Sequence, residues 1–301
     1  MRLQRTGSGK SLLLIIIVSL VFSACSNQFI YDRIDRLAQF YIERYVDLDK
    51  AQSSLLYVNL AAIKEWHRQD ELTSYLEFLD RIEMDIQTDI TAATVTAWME
   101  QLRLSYTQIR DRVVPALVQV AQTLTAVQIQ EFTANMQERN QELEQEYLSR
   151  DETEYRASVY EEIEDRLGEW LGRLTPEQQQ TLRQAVSGLE RLDRQWLDNR
   201  RSWQQQIIAE LDRQPGWEAR LTALVVSRAD YVRQDDIDAN SRNEQRIYTA
   251  IAAVLNMRTD KQQLKLAQQV QRWRQDLAAL RDARPQRARI NISEAATGSG
   301  L

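Results

Sequence analysis

Turn-forming residues are almost absent from the interior of this 301-residue chain, and no other feature limits its possible folds as much. Between Lys10 and Thr297 the sequence contains only four glycines and four prolines. A sheet protein of this length needs many tight turns, and glycine and proline supply most of them. The apolar content of 43% is ample for a buried core, which excludes disorder of the whole chain. The sequence therefore favours a fold made of long helices.

Apolar residues recur at intervals of three or four along most of the chain, the spacing of one helical face. The pattern runs from Ile30 to Leu48 and again from Leu182 to Leu211, where Arg200 alone stands at a position due to be apolar. The second pattern predicts one uninterrupted helix of about 35 residues. Less regular periodicity marks residues 94–123, 126–149, 152–172, 217–235 and 240–257. We expect an all-α protein, an elongated bundle of long amphipathic helices.

Breaks between these helices are predicted where polar or turn-forming residues cluster. The clusters lie at residues 88–94, 215–216 and 235–241, and Pro115 predicts a kink within a helix. In the last cluster Asp236, Asp238 and Asn240 resemble the first three ligands of a calcium loop. The sixth and twelfth positions hold Ser241 and Ile247 instead of Gly and Glu, so we interpret the segment as a polar interhelical turn.

Four short motifs mark helix starts independently of periodicity. In each, an Asp or Thr is followed three residues later by Gln, the arrangement of a capping box whose two side chains bond each other's backbone N–H. The motif spacings of 76, 50 and 84 residues are irregular, which argues against a solenoid with a fixed repeat. The pairs are Asp49 with Gln52, Thr125 with Gln128, Thr175 with Gln178, and Thr259 with Gln262.

The amino terminus has the order of a secretory signal, with three basic residues before an apolar run at 11–22. That run covers roughly 18 Å as a helix, short of the roughly 30 Å of a membrane core. The following Phe22-Ser23-Ala24-Cys25 resembles a bacterial lipobox, in which the cysteine is acylated and becomes the new amino terminus. The alternative is that Cys25 is a free thiol behind an ordinary signal.

Four segments follow from this interpretation. We expect a lipoprotein signal peptide over residues 1–24, an acylated Cys25 with a short tether over 25–29, a helical domain over 30–283 and a disordered tail over 284–301. Residue 26 is Ser and not the Asp that resembles an inner-membrane retention signal, so the predicted location is the outer membrane, facing the periplasm.

Charge and composition limit the partners of such a protein. Without residues 1–24 the chain keeps 35 basic and 44 acidic residues, which disfavours binding to nucleic acid. The expected partners are the membrane, through palmitate-type acyl chains, and other envelope proteins. The sequence leaves the oligomeric state open. One Cys and one His exclude disulfide frameworks and Cys/His zinc sites, and we expect no metal and no cofactor.

His67 is the single imidazole of the chain, and Glu71 follows it by four residues. On a helix the two are neighbours, and a carboxylate could orient the imidazole as a general base. No nearby residues complete a nucleophile system with them, so we interpret His67 and Glu71 as a structural pair and expect no catalytic residues. The functional interpretation of the pair stays open.

Three motifs resemble an uncharacterised family of proteobacterial lipoproteins: Tyr31 to Asp35, Tyr45-Val46-Asp47-Leu48-Asp49 and Trp66-His67-Arg68. The resemblance implies an all-helical envelope lipoprotein over most of residues 25–283 and carries no activity. Leu124 to Gln128 and Leu174 to Gln178 are also similar to the Leu-Thr-x-x-Gln motif of periplasmic stress chaperones, whose helical cradles hold unfolded clients without ATP. This chain is longer and differs in motif spacing.

The leading functional hypothesis is therefore a non-enzymatic helical scaffold or chaperone-like module for envelope proteins. One alternative is an envelope hydrolase or metal-dependent enzyme that uses His67 with carboxylates brought together by folding. The other is a purely structural tether.

Overall fold

The computed structural model describes residues 30–228 and 232–283, and the secondary structure in these ranges is helical, with no strand. The prediction of an all-α bundle is confirmed. A π-helical turn, His67–Glu71, joins the second helix to the third without a break. The α-helices are α1 Ile34–Glu43, α2 Lys50–Trp66, α3 Leu72–Asp85, α4 Ala92–Thr123, α5 Ala126–Leu148, α6 Glu152–Leu171, α7 Pro176–Ser187, α8 Asp193–Glu210, α9 Trp217–Val226, α10 Gln234–Asn256 and α11 Asp260–Asp282.

The largest hydrophobic cluster lies where α3 packs on α11 and where α10 packs on both α4 and α7. Leu72, Leu182, Val254 and Val270 are almost fully buried there. A second cluster joins α4, α8 and α9, and a third joins α2 to the carboxyl end of α4. Burial of such side chains at about 25 cal/mol per Å² is the main force that holds the bundle together.

The predicted helix from Leu182 to Leu211 is wrong, because the chain leaves the helix between Ser187 and Asp193. The polar groups of the break are satisfied by another helix. Asn243 of α10 accepts a hydrogen bond from the Glu190 N–H at 2.9 Å and donates to the Glu190 carbonyl at 2.7 Å. These tertiary hydrogen bonds replace the helical ones, so the apolar periodicity continues while the backbone does not.

The break predicted at residues 235–241 is also misplaced. Asp236, Asp238 and Asn240 lie inside α10, and α9 ends earlier, at Val226. The polar cluster is thus the first two turns of a helix and not a turn between helices. Acidic residues are favourable there because the helix amino terminus carries partial positive charge. The break predicted at 88–94 does separate α3 from α4, and α4 continues through Pro115.

None of the helices in the described part of the chain is long and apolar enough to span a bilayer. The predicted signal peptide, Cys25 with its tether and the predicted tail lie outside the described residues.

Candidate functional site

The first described turn of the chain is fastened to α2 by a buried set of polar contacts. The Tyr31 hydroxyl donates to the Lys64 carbonyl at 3.3 Å and lies 3.0 Å from His67 Nδ1. The Lys64 ammonium forms an ion pair with the carboxylate of Asp35 at 2.9 Å, and Asp35 is only 4% exposed. We call Tyr31, Asp35, Lys64, His67 and Arg68 the N-terminal junction.

Both ring nitrogens of His67 face tyrosine hydroxyls. His67 Nε2 lies 3.2 Å from the hydroxyl of Tyr75, opposite the Tyr31 contact at Nδ1. Burial lowers the pKa of His67 to about 4, and it raises the pKa of both tyrosines. At neutral pH the three groups are therefore uncharged, and one ring nitrogen donates while the other accepts. This arrangement satisfies the imidazole completely and holds it in place.

Glu71 lies in the same π-helical turn as His67 but has a different partner. Its side chain is buried, and burial raises its pKa. With the Gln108 amide oriented so that its nitrogen faces Glu71, that nitrogen donates to both carboxylate oxygens, at 3.0 Å to Oε2. The two residues predicted as a pair are thus close in the fold, while the hydrogen bonds of the imidazole go to tyrosines.

Arg68 links the junction to the other end of the described chain. Its guanidinium donates to the carbonyl of Ala283 at 2.9 Å and lies over the Tyr31 ring at 5.3 Å. A longer ion pair at 3.6 Å connects it to Asp32. Residues that precede α1 and residues that follow α11 are thereby held at one place. Sequence reasoning missed this contact, because it joins residues 215 positions apart.

The four predicted capping boxes are present at the starts of α2, α5, α7 and α11. Two further boxes, missed because they lack Gln, begin α4 with Thr91 and Thr94 and α6 with Asp151 and Glu154. Each box satisfies backbone N–H groups that would otherwise have no partner inside the helix.

The glutamines of the boxes also bind each other in two pairs. Gln52 donates to Gln128 Oε1 at 3.1 Å, and Gln128 donates back to Gln52 Oε1 at 2.7 Å. The second pair repeats this between Gln178 and Gln262, at 3.1 and 2.9 Å. The helix starts of α2 and α5 are thus joined, as are those of α7 and α11. We call these the glutamine pairs.

Every hydrogen-bonding position of the paired amides is filled. Each Oε1 accepts from its own cap N–H, at 2.9 to 3.0 Å, as well as from the partner amide. Each Nε2 donates a second time to a backbone carbonyl, those of Thr123, Asp47, Val254 and Arg173. An amide has two acceptor and two donor positions, so the pairs explain why glutamine occupies these sites, three of which, Gln52, Gln178 and Gln262, are buried.

A family model described as a family of unknown function, DUF6279, matches residues 44–237, well over half of the chain. The chain belongs to the DUF6279 family. The expected membership of an uncharacterised family is confirmed, over a narrower range than residues 25–283. The DUF6279 region contains His67, Arg68 and the first glutamine pair, and it begins after Tyr31 and Asp35. No curated protein and no solved structure matches the chain.

Within the described residues, no group of three or more His, Cys, Asp or Glu side chains could hold a metal ion. Four acidic residues, Glu161, Glu162, Glu164 and Asp165, lie inside α6, and Glu164 accepts from the Gln179 amide at 2.7 Å. Cys25 lies outside the described residues.

Proposed function

We propose that this DUF6279 protein is an outer-membrane-anchored periplasmic lipoprotein that acts as a non-enzymatic scaffold or chaperone-like module for envelope proteins. The observation that carries the proposal is the N-terminal junction. It fixes Tyr31, six residues after Cys25, to the body of the protein through His67 and Lys64. An anchor at Cys25 would therefore hold the folded helical domain itself close to the membrane, and not only a flexible amino-terminal segment.

The short tether supports a position close to the membrane. Five residues from Cys25 to Ile30 span at most about 17 Å of extended chain. The first helix beyond them, α1, exposes Leu37 and Phe40, at 46% and 67%, on one face with Arg36, and Arg44 continues this face directly after the helix. We call these four residues the α1 outer face. Apolar and basic side chains together are typical of helices that lie in a membrane interface.

Exposed apolar side chains support the binding part of the proposal. Eight of the eleven large ones in the described residues lie on α1, α2, α4 or the start of α5, and these elements pack on one another in part. By contrast, the polar side chains that suggested chemistry are engaged in structural hydrogen bonds. Those exposed apolar residues are Leu37, Phe40, Tyr57, Val58, Leu104, Tyr106, Leu117 and Val127.

The anchoring is tested by replacing the acylated residue. In the bacterial host, the wild-type protein should incorporate an alkyne-tagged fatty acid and fractionate with outer membranes. Cys25→Ser should lose the label and appear in the soluble periplasmic fraction. An unlabelled wild-type protein, or a variant that stays in the membrane to the same extent, would contradict the proposal.

The binding role is tested with photo-crosslinkers in intact envelopes. A crosslinker at Val58 or Val127, which are 65% and 73% exposed, should yield covalent adducts with envelope proteins. The control is exposed Gln180, a polar position on α7. If neither apolar position gives adducts above the control, and the full chain does not suppress aggregation of an unfolded reference protein, the scaffold and chaperone roles are both rejected.

A further inference from the structure

Arg200 interrupts the apolar face of α8 and is held there by buried polar groups. Its Nε donates to the Asn140 side-chain oxygen at 2.9 Å, and Asn140 in turn donates to Gln204 at 2.5 Å. Asn140 and Gln204 are both buried. The guanidinium lies over the ring of Trp196 at 5.8 Å. The helix thus places a positive charge where the sequence pattern called for an apolar side chain.

A second guanidinium stacks on another tryptophan of α8. Arg228, after the end of α9, stacks over Trp203 at 4.5 Å, and the indole of Trp203 donates to the Leu224 carbonyl at 2.7 Å. Positions 200 and 203 are neighbours on one helical face. Each stacked ring fixes the orientation of its guanidinium. We call Arg200 and Arg228 the arginine pair.

The two charges lack the ion pairs that many other arginines form in the described part of the chain. Among the residues that the structure describes, no carboxylate lies within ion-pair distance of Arg200 or Arg228. The adjacent Arg201, by comparison, pairs with Glu144 at 2.6 Å. Burial lowers the pKa of both members of the pair, and their mutual repulsion contributes at Arg228. Half-buried like charges without a counter-charge are unfavourable unless another group supplies it.

Hydroxyl groups complete the surroundings of the arginine pair. Tyr41 and Tyr45 of the α1 region are close enough to Arg200 to influence its charge, and their hydroxyls lie 3.5 Å apart. Burial, together with the hydrogen bond to Tyr45, raises the pKa of Tyr41 to about 12, so this hydroxyl stays protonated and can donate. The site therefore offers donors of two kinds and no described acceptor charge.

We propose that the arginine pair binds the phosphate group of a ligand. Two guanidinium forks match a doubly charged oxyanion, to which arginine donates paired hydrogen bonds. The source of the phosphate is either a free phosphate compound or the headgroup of an anionic phospholipid. This site goes beyond the proposed scaffold role, since it requires neither acylation nor a protein partner.

The test uses the full chain in neutral detergent. Inorganic phosphate is titrated at constant ionic strength, and tryptophan fluorescence and the thermal midpoint are recorded. A parallel arm compares nanodiscs of phosphatidylcholine alone with nanodiscs that contain phosphatidylglycerol. Because a ligand that binds the folded state stabilises it, binding should raise the midpoint. If inorganic phosphate raises the midpoint, a free phosphate group is sufficient for binding. If only the nanodiscs that contain phosphatidylglycerol raise it, the ligand is the lipid headgroup.

Arg228→Gln is the deciding variant, and we expect it to weaken the response at least about tenfold in affinity. The matched control is Arg183→Gln, because Arg183 also stacks on an aromatic ring, that of Tyr160 at 5.0 Å, and lies elsewhere. Arg200→Gln, which can still bond Asn140, is a second variant if the first is poorly folded. The proposal is overturned if neither phosphate source shifts the wild type, or if folded variants and wild type respond equally.

Discussion

The imidazole of His67 makes the stability of the protein depend on pH in a direction that can be worked out. Its pKa is about 4 in the folded protein and about 6.5 in an unfolded chain. Between these values the unfolded chain binds a proton that the folded chain does not bind. The contribution of His67 is therefore fully present above about pH 6.5 and is lost as the pH falls toward 4.

We predict that lowering the pH from about 7.5 to about 4.5 costs the wild type roughly 2–3 kcal/mol more than it costs His67→Gln. Denaturant unfolding of both proteins at the two pH values measures this difference. Carboxylates whose pKa is raised by burial, such as Glu71, act in both proteins and cancel. Equal pH dependence of the two would show that His67 is not the buried neutral group described above.

His67→Gln also separates the structural role of the residue from the rival enzymatic one. A structural role predicts a lower thermal midpoint, while cells that carry the variant keep the wild-type phenotype. An enzymatic role predicts a lost phenotype with an unchanged midpoint. The tyrosine contacts at both ring nitrogens favour the first outcome.

At the scale of the helices, the glutamine pairs explain why helix starts far apart in sequence are docked on one another. Gln178→Glu preserves the local capping box, because a carboxylate still accepts from the Thr175 N–H. It removes the donor to Gln262 and Val254 and introduces a charge at a fully buried position. We predict a loss of about 3 kcal/mol or more of unfolding free energy.

The control for this substitution is Gln180→Glu, two residues further along α7 at an exposed position. It should change stability by less than about 0.5 kcal/mol. Denaturant unfolding monitored by circular dichroism compares the two variants. If both substitutions lowered the free energy of unfolding by the same small amount, the paired amides would contribute no more to stability than ordinary helix capping does.

The α1 outer face can be tested against a distant surface with a dye that reports polarity. Phe40→Cys adds one thiol to a protein whose native cysteine is expected to be acylated. Labelled there, the full chain in vesicles should show blue-shifted emission. The control is Leu264→Cys, which is similarly exposed but about 28 Å along α11 from the end bound by Arg68. Identical spectra at the two positions would contradict a membrane-facing α1.

The helix starts could be predicted from the sequence because a capping box is local, joining residues three apart. The partners of its glutamines could not, because Gln52 meets Gln128 only once α2 and α5 have packed. The break after Ser187 was missed for a similar reason, since Asn243, more than fifty residues away, satisfies its backbone. Local patterns thus predicted the class of the fold. Hydrogen bonds between residues far apart in sequence determine where the helices break and which polar side chains are buried together.

At the scale of the whole molecule, Arg68 holds the two described ends of the chain together. We predict that Arg68→Gln accelerates amide hydrogen exchange in residues 30–36 and in the last turn of α11, while α8 exchanges as in the wild type. Loss of the buried guanidinium leaves the Ala283 carbonyl and Asp32 without their partner. Mass-spectrometric exchange measures all three segments at once. Acceleration confined to one end would show that the ends are not coupled through this residue.

The π-helical turn determines how α3 is rotated about the helix axis relative to α2. From Lys50 to Asp85 the backbone is one continuous rod in which five residues, His67–Glu71, are wound more loosely. Such a bulge is equivalent to one inserted residue in an ordinary helix. Deleting a single residue there would restore regular winding and turn α3 by about 100° against α2. Tyr75 would swing away from the imidazole, and the face of α3 that meets α11 would point elsewhere. A one-residue length polymorphism at this position should therefore be far more damaging than a substitution.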